Sequence, residues 1–465
     1  MTSADDFHRP TYHITPPANW MNDPNGAIQW QGRYHLFYQH NPYAPESRQK
    51  HWAHVVSDDL LHWEPLPLAL APEPGGYDKD GCFSGCMVVH QGVPTIIYTG
   101  VMPEVQCLAT SAGDLREWRK HPGNPVLAQR PPSLKTLTFR DPYAWQGAEG
   151  WWYLLLGSGL EGEGGACLLY RSRDLQAWEY LNVLYSAPKE QFGTKWNCPN
   201  FFQLGEEHVL IIAGQPVWKP FFFTGAYRDG RFQPRVSGLV DHGGNLYASQ
   251  VFFDQAGRAL FWGWVWEGRS DEEIRAAGWA GVMTLPRELR LDAAGRLACA
   301  PAAETAVLRR RHTRLDARAV PPGDSPLEGL AGAALELDLR LEPGGAADCG
   351  VSVLRAADGS EQTRIGYDAR KGELYVDRRQ ANLSSQMAFG WSNPAYHAAP
   401  VSLAEGAALE LRIFIDHSLV EVYANGGLCF SSRVYRRQAG STGVALYAEG
   451  GTAGLLGLDA WELSL

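Results

Sequence analysis

This 465-residue chain has no extended run of basic residues, no apolar stretch of membrane-spanning length and no clustered Cys/His pattern. Each absence removes a class of function. With 41 Lys and Arg against 51 Asp and Glu the net charge is −10. Nothing gathers the positive charge that a phosphate backbone demands, so no nucleic-acid partner is expected. The ~18 consecutive apolar residues of a membrane helix are missing, so no membrane partner is expected either. Of the eight cysteines only Cys82 and Cys86 lie close together, and no histidine pattern accompanies them. Buried, reduced thiols are the expectation, with no metal site and no cofactor. The opening Met1-Thr2-Ser3-Ala4-Asp5-Asp6 lacks the basic start and apolar core of a secretory signal, which makes a cytoplasmic location the expectation. No long 3.6-residue stripe is present, which argues against a helical fold.

Aromatic and β-branched residues in short runs fill the space instead. Tyr34-His35-Leu36-Phe37-Tyr38, Thr95-Ile96-Ile97-Tyr98-Thr99, Trp151-Trp152-Tyr153-Leu154-Leu155 and His208-Val209-Leu210-Ile211-Ile212 are strand signals separated by Gly, Pro, Asp and Asn. One phrase recurs. Ser57-Asp58-Asp59-Leu60-Leu61-His62-Trp63 reappears as Ser172-Arg173-Asp174-Leu175-Gln176-Ala177-Trp178. With one extra residue it returns as Ser111-Ala112-Gly113-Asp114-Leu115-Arg116-Glu117-Trp118. Its tryptophans are 55 and 60 residues apart. A period of this size built from short strands predicts propeller blades, and about 300 residues hold about five of them.

Trp20-Met21-Asn22-Asp23-Pro24-Asn25-Gly26 has echoes on the same period. Asp141 in Arg140-Asp141-Pro142 lies 118 positions after Asp23, and Asn197 in Trp196-Asn197-Cys198-Pro199-Asn200 a further 56 on. If the repeat closes into a ring, these groups face one axis and form an acid pocket.

Beyond the repeat the character changes. Ala334-Leu335-Glu336-Leu337-Asp338-Leu339-Arg340-Leu341 and Leu409-Glu410-Leu411-Arg412-Ile413-Phe414-Ile415 alternate strictly, and Ala424-Asn425-Gly426-Gly427 is a hairpin signal. Such strands predict a β-sandwich. The expected organisation is all-β: a five-bladed β-propeller over 1–305, a linker over 306–325 and a β-sandwich over 326–465.

The three Asp23, Asp141 and Asn197 blocks, in this order and spacing, resemble the signature blocks of glycoside hydrolase family 32, the invertases, levanases, inulinases and fructosyltransferases. Tyr34–Pro42, Phe83-Ser84-Gly85, Gly278-Trp279-Ala280-Gly281 and Asp416–Tyr423 extend the resemblance over nearly the whole chain. It implies a propeller with an appended sandwich, and a small carbohydrate, a β-fructofuranoside such as sucrose or a fructan, as partner. By resemblance Asp23 is a nucleophile in a retaining reaction and Asp141 a transition-state stabiliser. Glycoside cleavage passes through an oxocarbenium-like state that one carboxylate attacks while another stabilises developing charge through sugar hydroxyls. Arg140 beside Asp141 is expected to lower that acid's pKa. Asn22, Gln39, Phe83, Ser84 and Arg140 match positions around the terminal fructose, and Trp20 and Trp52 match aromatic walls. Pro45–His51 departs from the family's wording, so the rim there is expected to be reshaped.

The third block departs at the chemistry. Where the family has Glu followed by Cys-Pro-Asp, this chain has Asn197 and Asn200. The Glu would be the general acid/base, so position 197 is a vacated acid site. Losing general-acid help typically slows a reaction by ~10²–10⁴. Three readings follow: an enzyme with an altered proton route, through a better leaving group, a water or another side chain such as Glu190, Glu161 or His51; a fructosyl-transferring or cyclising enzyme; or a fructoside-binding protein that has lost catalysis.

Overall fold

The computed structural model describes residues 6–381, 394–404 and 406–465. Five antiparallel sheets follow one another along the first 301 residues. Their innermost strands are Asn19–Trp30, Gly81–His90, Arg140–Gln146, Lys195–Leu204 and Leu246–Phe253. Each packs against the next, and the last returns to the first, so the ring is closed. Trp279–Ala280, far along the chain, pairs in parallel with Asn19 and Trp20 and ties the end of the propeller to its start.

The recurring Ser-Asp-Leu-Trp phrase is the turn from the third to the fourth strand of a blade. Leu60, Leu115 and Leu175 each take a left-handed backbone, at φ 69°, 58° and 64°. Such a conformation is unfavourable for a side chain with a Cβ and needs local support. Asp59 and Asp174 accept from the backbone N–H groups two and three residues on. Trp63, Trp118 and Trp178 donate their indole N–H to the carbonyl of that leucine at 2.8, 3.0 and 2.8 Å. The repeated tryptophan therefore buckles a turn and packs the blade at once.

The second half is two sheets around one aliphatic core. In the strand Ala334–Glu342, Leu335, Leu337, Leu339 and Leu341 are buried against Leu409, Leu411, Ile413 and Ile415 of the neighbouring strand. Leu419–Ala424 turns through Asn425 and Gly426, both left-handed, into Leu428–Arg433, as the hairpin signal predicts. The expected linker over 306–325 is corrected: Arg309–Leu315 and Arg318–Val320 are edge strands paired with Ala453–Leu463, and Gly323–Ala331 pairs with Gly443–Glu449. Arg309–Leu315 carries charged residues toward solvent and so lacks the apolar alternation by which strands are recognised. All eight cysteines are free and buried. Among the described residues no helix is long and apolar enough to cross a membrane.

Buried charge fastens the two halves together. Arg287, at 0% exposure, donates to Asp241 at 2.9 Å, to the Tyr423 hydroxyl at 3.1 Å and to Ser431 at 2.5 Å, and lies 3.3 Å from Glu421. Asp416 of the sandwich accepts from the backbone of Thr11, Tyr12 and His13 and from the His13 ring. Removing one member of such a network strands the others without a counter-charge. Arg287→Met should destabilise the protein by about 3–5 kcal/mol, read as a lowered urea midpoint; an unchanged midpoint would show that the network does not hold the halves together.

Candidate active site

The site is made by a defect that every blade shares. Each inner strand breaks register with its neighbour at the same height. The breaks fall around Asp23, around Phe83 and Ser84, around Asp141 and Pro142, around Cys198 and Pro199, and around Tyr247 and Ala248. A bulge leaves residues unpaired and re-aims their side chains, and it also tolerates proline, which cannot donate to a ladder. This explains the Pro that follows Asp23, Asp141 and Cys198. Asp141 and Cys198 are left-handed, at φ 59° and 45°. By this register Cys198 is the blade equivalent of Asp23 and Asp141, while Asn197 corresponds to Asn22 and Arg140. The sequence alone did not single out Cys198.

Three bulges converge on one sulfur. Cys198 Sγ lies 3.4 Å from Asp23 Oδ2 and 3.7 Å from Asp141 Oδ2. The two carboxylate oxygens are therefore no farther apart than those two contacts combined, inside the ~9.5 Å outer limit for cooperating glycosidase carboxyl groups. Burial and both carboxylates push the Cys198 thiol well up, so it stays protonated between them. Ser84 donates to Asp23 Oδ2 at 2.6 Å, and the Cys198 N–H donates to Asp141 Oδ2 at 3.0 Å. The Asp141 N–H is held by Thr99 Oγ1 at 3.0 Å, which in turn is tied to Gln106.

Asn22 and Gln39 face each other across the first two strands and are hydrogen-bonded. Asn22 Oδ1 also accepts from Trp20 Nε1 at 2.6 Å and from Lys50 Nζ at 2.8 Å. Trp20 lines a cleft at the rim with Ser47, Arg48 and Arg275. Trp52 does not join this wall. It sits in the third strand of its blade, ~10 Å from the axial strand at ~4.8 Å per strand. Its fully buried ring packs near Phe37 and Tyr98. Its indole N–H donates to the Phe83 carbonyl at 3.0 Å, so its contribution is to fix the bulge that carries Phe83 and Ser84.

The two asparagines of the third block fit their surroundings as amides. Asn197 Oδ1 accepts from Arg140 Nη2 at 2.9 Å and Nε at 3.2 Å, while its Nδ2 donates to the Tyr247 hydroxyl at 2.7 Å. Asn200 Nδ2 donates to the carbonyls of Cys198 and Ser249, both at 3.0 Å, and its Oδ1 accepts from the Val251 N–H at 2.8 Å. An ionised aspartate at 200 would set charge against two carbonyl oxygens. Arg140 is further held by Glu104 at 3.5 Å. Of the three donors proposed from sequence, two are turned to solvent and the third hydrogen-bonds within its own segment. Glu161 pairs with Lys135 at 3.7 Å, Glu190 is exposed on the short helix Lys189–Phe192, and His51 Nδ1 engages the Gln49 carbonyl at 2.7 Å.

The expected lowering of the Asp141 pKa by Arg140 is reversed. Burial outweighs the arginine and the nearby Asp23 adds to it, so the carboxyl is pushed up to about 6. Folding therefore binds a proton between the ordinary aspartate range and about 6. The stability that this protonation provides is intact below that window and lost as pH rises through it. Asp141→Asn should stabilise the fold at pH 8 by up to about 3 kcal/mol, and the gain should vanish near pH 4. Equal urea midpoints for the two proteins at pH 8 would contradict this.

Comparisons with known proteins agree with the geometry. Residues 13–301 match the Glycosyl hydrolases family 32 N-terminal domain, and residues 304–462 match the Glycosyl hydrolases family 32 C terminal. Sucrose-6-phosphate hydrolase from Escherichia coli is 34% identical over 98% of this chain and 94% of its own length. Raffinose invertase from the same organism is 35% identical over 98% and 95%. The structure of fructan 1-exohydrolase IIa from Cichorium intybus in complex with 1-kestose superposes with a TM-score of 0.88 at 28% identity, covering 99% of this chain and 98% of that one. A closed ring of five blades, an appended sandwich and a carboxylate pair at the axis thus go with sequence likeness along both halves: the chain belongs to glycosyl hydrolase family 32.

Proposed function

We propose that this protein cleaves β-fructofuranosides with retention, through Asp23 as nucleophile and Asp141 as transition-state stabiliser, without an acid at position 197. The pairing of Asp23 and Asp141 about Cys198 carries the reading. A binding pocket has no need of two carboxylates so close together, since their mutual repulsion and burial disfavour ionisation. A retaining reaction uses both: one forms a bond to the anomeric carbon, and the other strengthens its hydrogen bonds as positive charge develops. Asn22, Gln39, Ser84 and Arg140 supply the amide, hydroxyl and guanidinium groups that recognise a small polyol ring, with Trp20 and Phe83 flanking them. The named activities of the relatives make sucrose, a phosphorylated sucrose and short fructans the first substrates to try.

Asn197 has no proton to give near neutral pH. Activated aryl fructosides, whose leaving groups depart without one, should be cleaved whatever stands at position 197, and Asp23→Asn should abolish cleavage of both them and sucrose. Asn197→Glu should raise sucrose hydrolysis about tenfold or more, toward the ~10²–10⁴ of a positioned acid. Activity should rise with pH through about 6 as Asp141 ionises. Sugar affinity without turnover of even the aryl substrate would support the binding-protein reading instead.

A further inference from the structure

Lys50 is a buried ammonium in the segment that departs from the family's wording. Only 7% of the residue is exposed. Its Nζ donates to Asn22 Oδ1 at 2.8 Å and to Ser47 Oγ at 2.8 Å, and lies 5.6 Å from the centre of the Trp20 ring. Among the described residues no carboxylate lies within 4.0 Å of it, and two of its three N–H groups have partners. A buried charge is ordinarily paired, because desolvation of an unpaired ion is expensive. This one is kept beside a sugar-binding amide with one donor to spare. Its two anchors bracket its position: Asn22 belongs to the terminal-sugar pocket, and Ser47 lines the rim cleft. The bond to be cut joins a sugar in the pocket to a group toward the rim. Backbone pairing fixes the lysine there, since its carbonyl accepts from the Cys82 N–H at 2.8 Å.

We propose that Lys50 is the proton donor to the departing group, in the role that Asn197 cannot fill; this rests on the fructoside-cleaving reading above. In the first step the bond from the anomeric carbon to the leaving oxygen breaks, and its electron pair goes to that oxygen. The oxygen takes a proton from the Lys50 ammonium as an Asp23 oxygen bonds to the carbon. In the second step water attacks the carbon, the Asp23 bond breaks and the neutral Lys50 amine takes the water's proton. Both steps balance without a co-reactant. The surroundings suit a proton that must leave and return. Burial brings the ammonium down to about 8, with Asp23 favouring its charge and Arg140 opposing it. Glu46 and Arg48, 3.9 Å apart on its own segment, and Asp271 and Arg275 line the rim cleft together with its partner Ser47.

Lys50→Arg separates charge from proton transfer, because a guanidinium keeps the charge and does not give up its proton. The experiment compares kcat/KM of wild type, Lys50→Arg and Lys50→Met on sucrose and on an aryl fructoside from pH 5 to 10. The expected result is a loss on sucrose in both variants that exceeds the loss on the aryl substrate by ~10²–10⁴. The wild-type decline on sucrose above pH 8 should also disappear in Lys50→Arg. Added methylammonium should partly restore sucrose cleavage to Lys50→Ala, with fructose binding by calorimetry reporting an intact pocket. Full sucrose activity in Lys50→Arg would overturn the proposal, as would equal losses on the two substrates, which mark a structural or charge-only role. Absence of aryl fructoside turnover in wild type would instead overturn the reading on which the proposal rests.

Discussion

One register break, repeated at the same height in all five inner strands, is what the site depends on. A regular propeller strand commits every backbone group to its ladder and points alternate side chains into the blade faces. At the bulge that commitment lapses, and the unpaired residues turn to the axis: Asp23, Ser84, Asp141, Cys198 and Tyr247 all lie at such breaks. The irregular backbone is held from behind by buried groups. Thr99 and Gln106 bind the segment carrying Asp141, Trp52 binds the Phe83 carbonyl, and Asn200 clasps Cys198 and Ser249. These contacts keep the reacting groups at fixed separations before any substrate arrives, which is where electrostatic catalysis draws its strength.

The two asparagines of the third block are better understood together than apart. Asn200 shows no chemistry of its own, because every polar atom of its amide is used in holding the fourth bulge to the fifth inner strand. Asn197 takes a place between Arg140 and Tyr247 that an amide satisfies at both ends. Neither amide leaves a polar atom without a partner. Neutral groups stand there, while Lys50 sets a buried ammonium beside Asn22.

The fold and the carboxylate pair were legible in the sequence because repeats and bulges leave marks there. The Ser-Asp-Leu-Trp phrase recurs since three blades turn through a left-handed leucine that needs support, and the Pro after Asp23, Asp141 and Cys198 recurs since a bulge tolerates it. Aligning the blocks on that Pro, and not on the polar residue before it, would have identified Cys198. What was not legible depended on distance across strands. Trp52 reads like a pocket wall until its place in the third strand is known, and Arg140 reads as lowering the Asp141 pKa until burial is weighed against it. Lys50 had a signal, the altered wording of Pro45–His51, but a lysine in a polar stretch reads as solvated surface. The edge strands at 309–320 were missed because their charged residues hide the alternation.

The central claim is that Asp23 retains its nucleophilic chemistry in a site without an acid at 197. The most direct measurement is to mix the enzyme with an aryl β-fructofuranoside, quench within the first turnover and weigh the intact protein and its peptides. A leaving group that departs without a proton makes the first step fast, so the covalent species should build up before water removes it. The account requires protein one fructosyl unit heavier, with the addition on the peptide containing Asp23. Aryl fructoside turnover that persists in Asp23→Asn with no such adduct, or an adduct carried by a different residue, would contradict it.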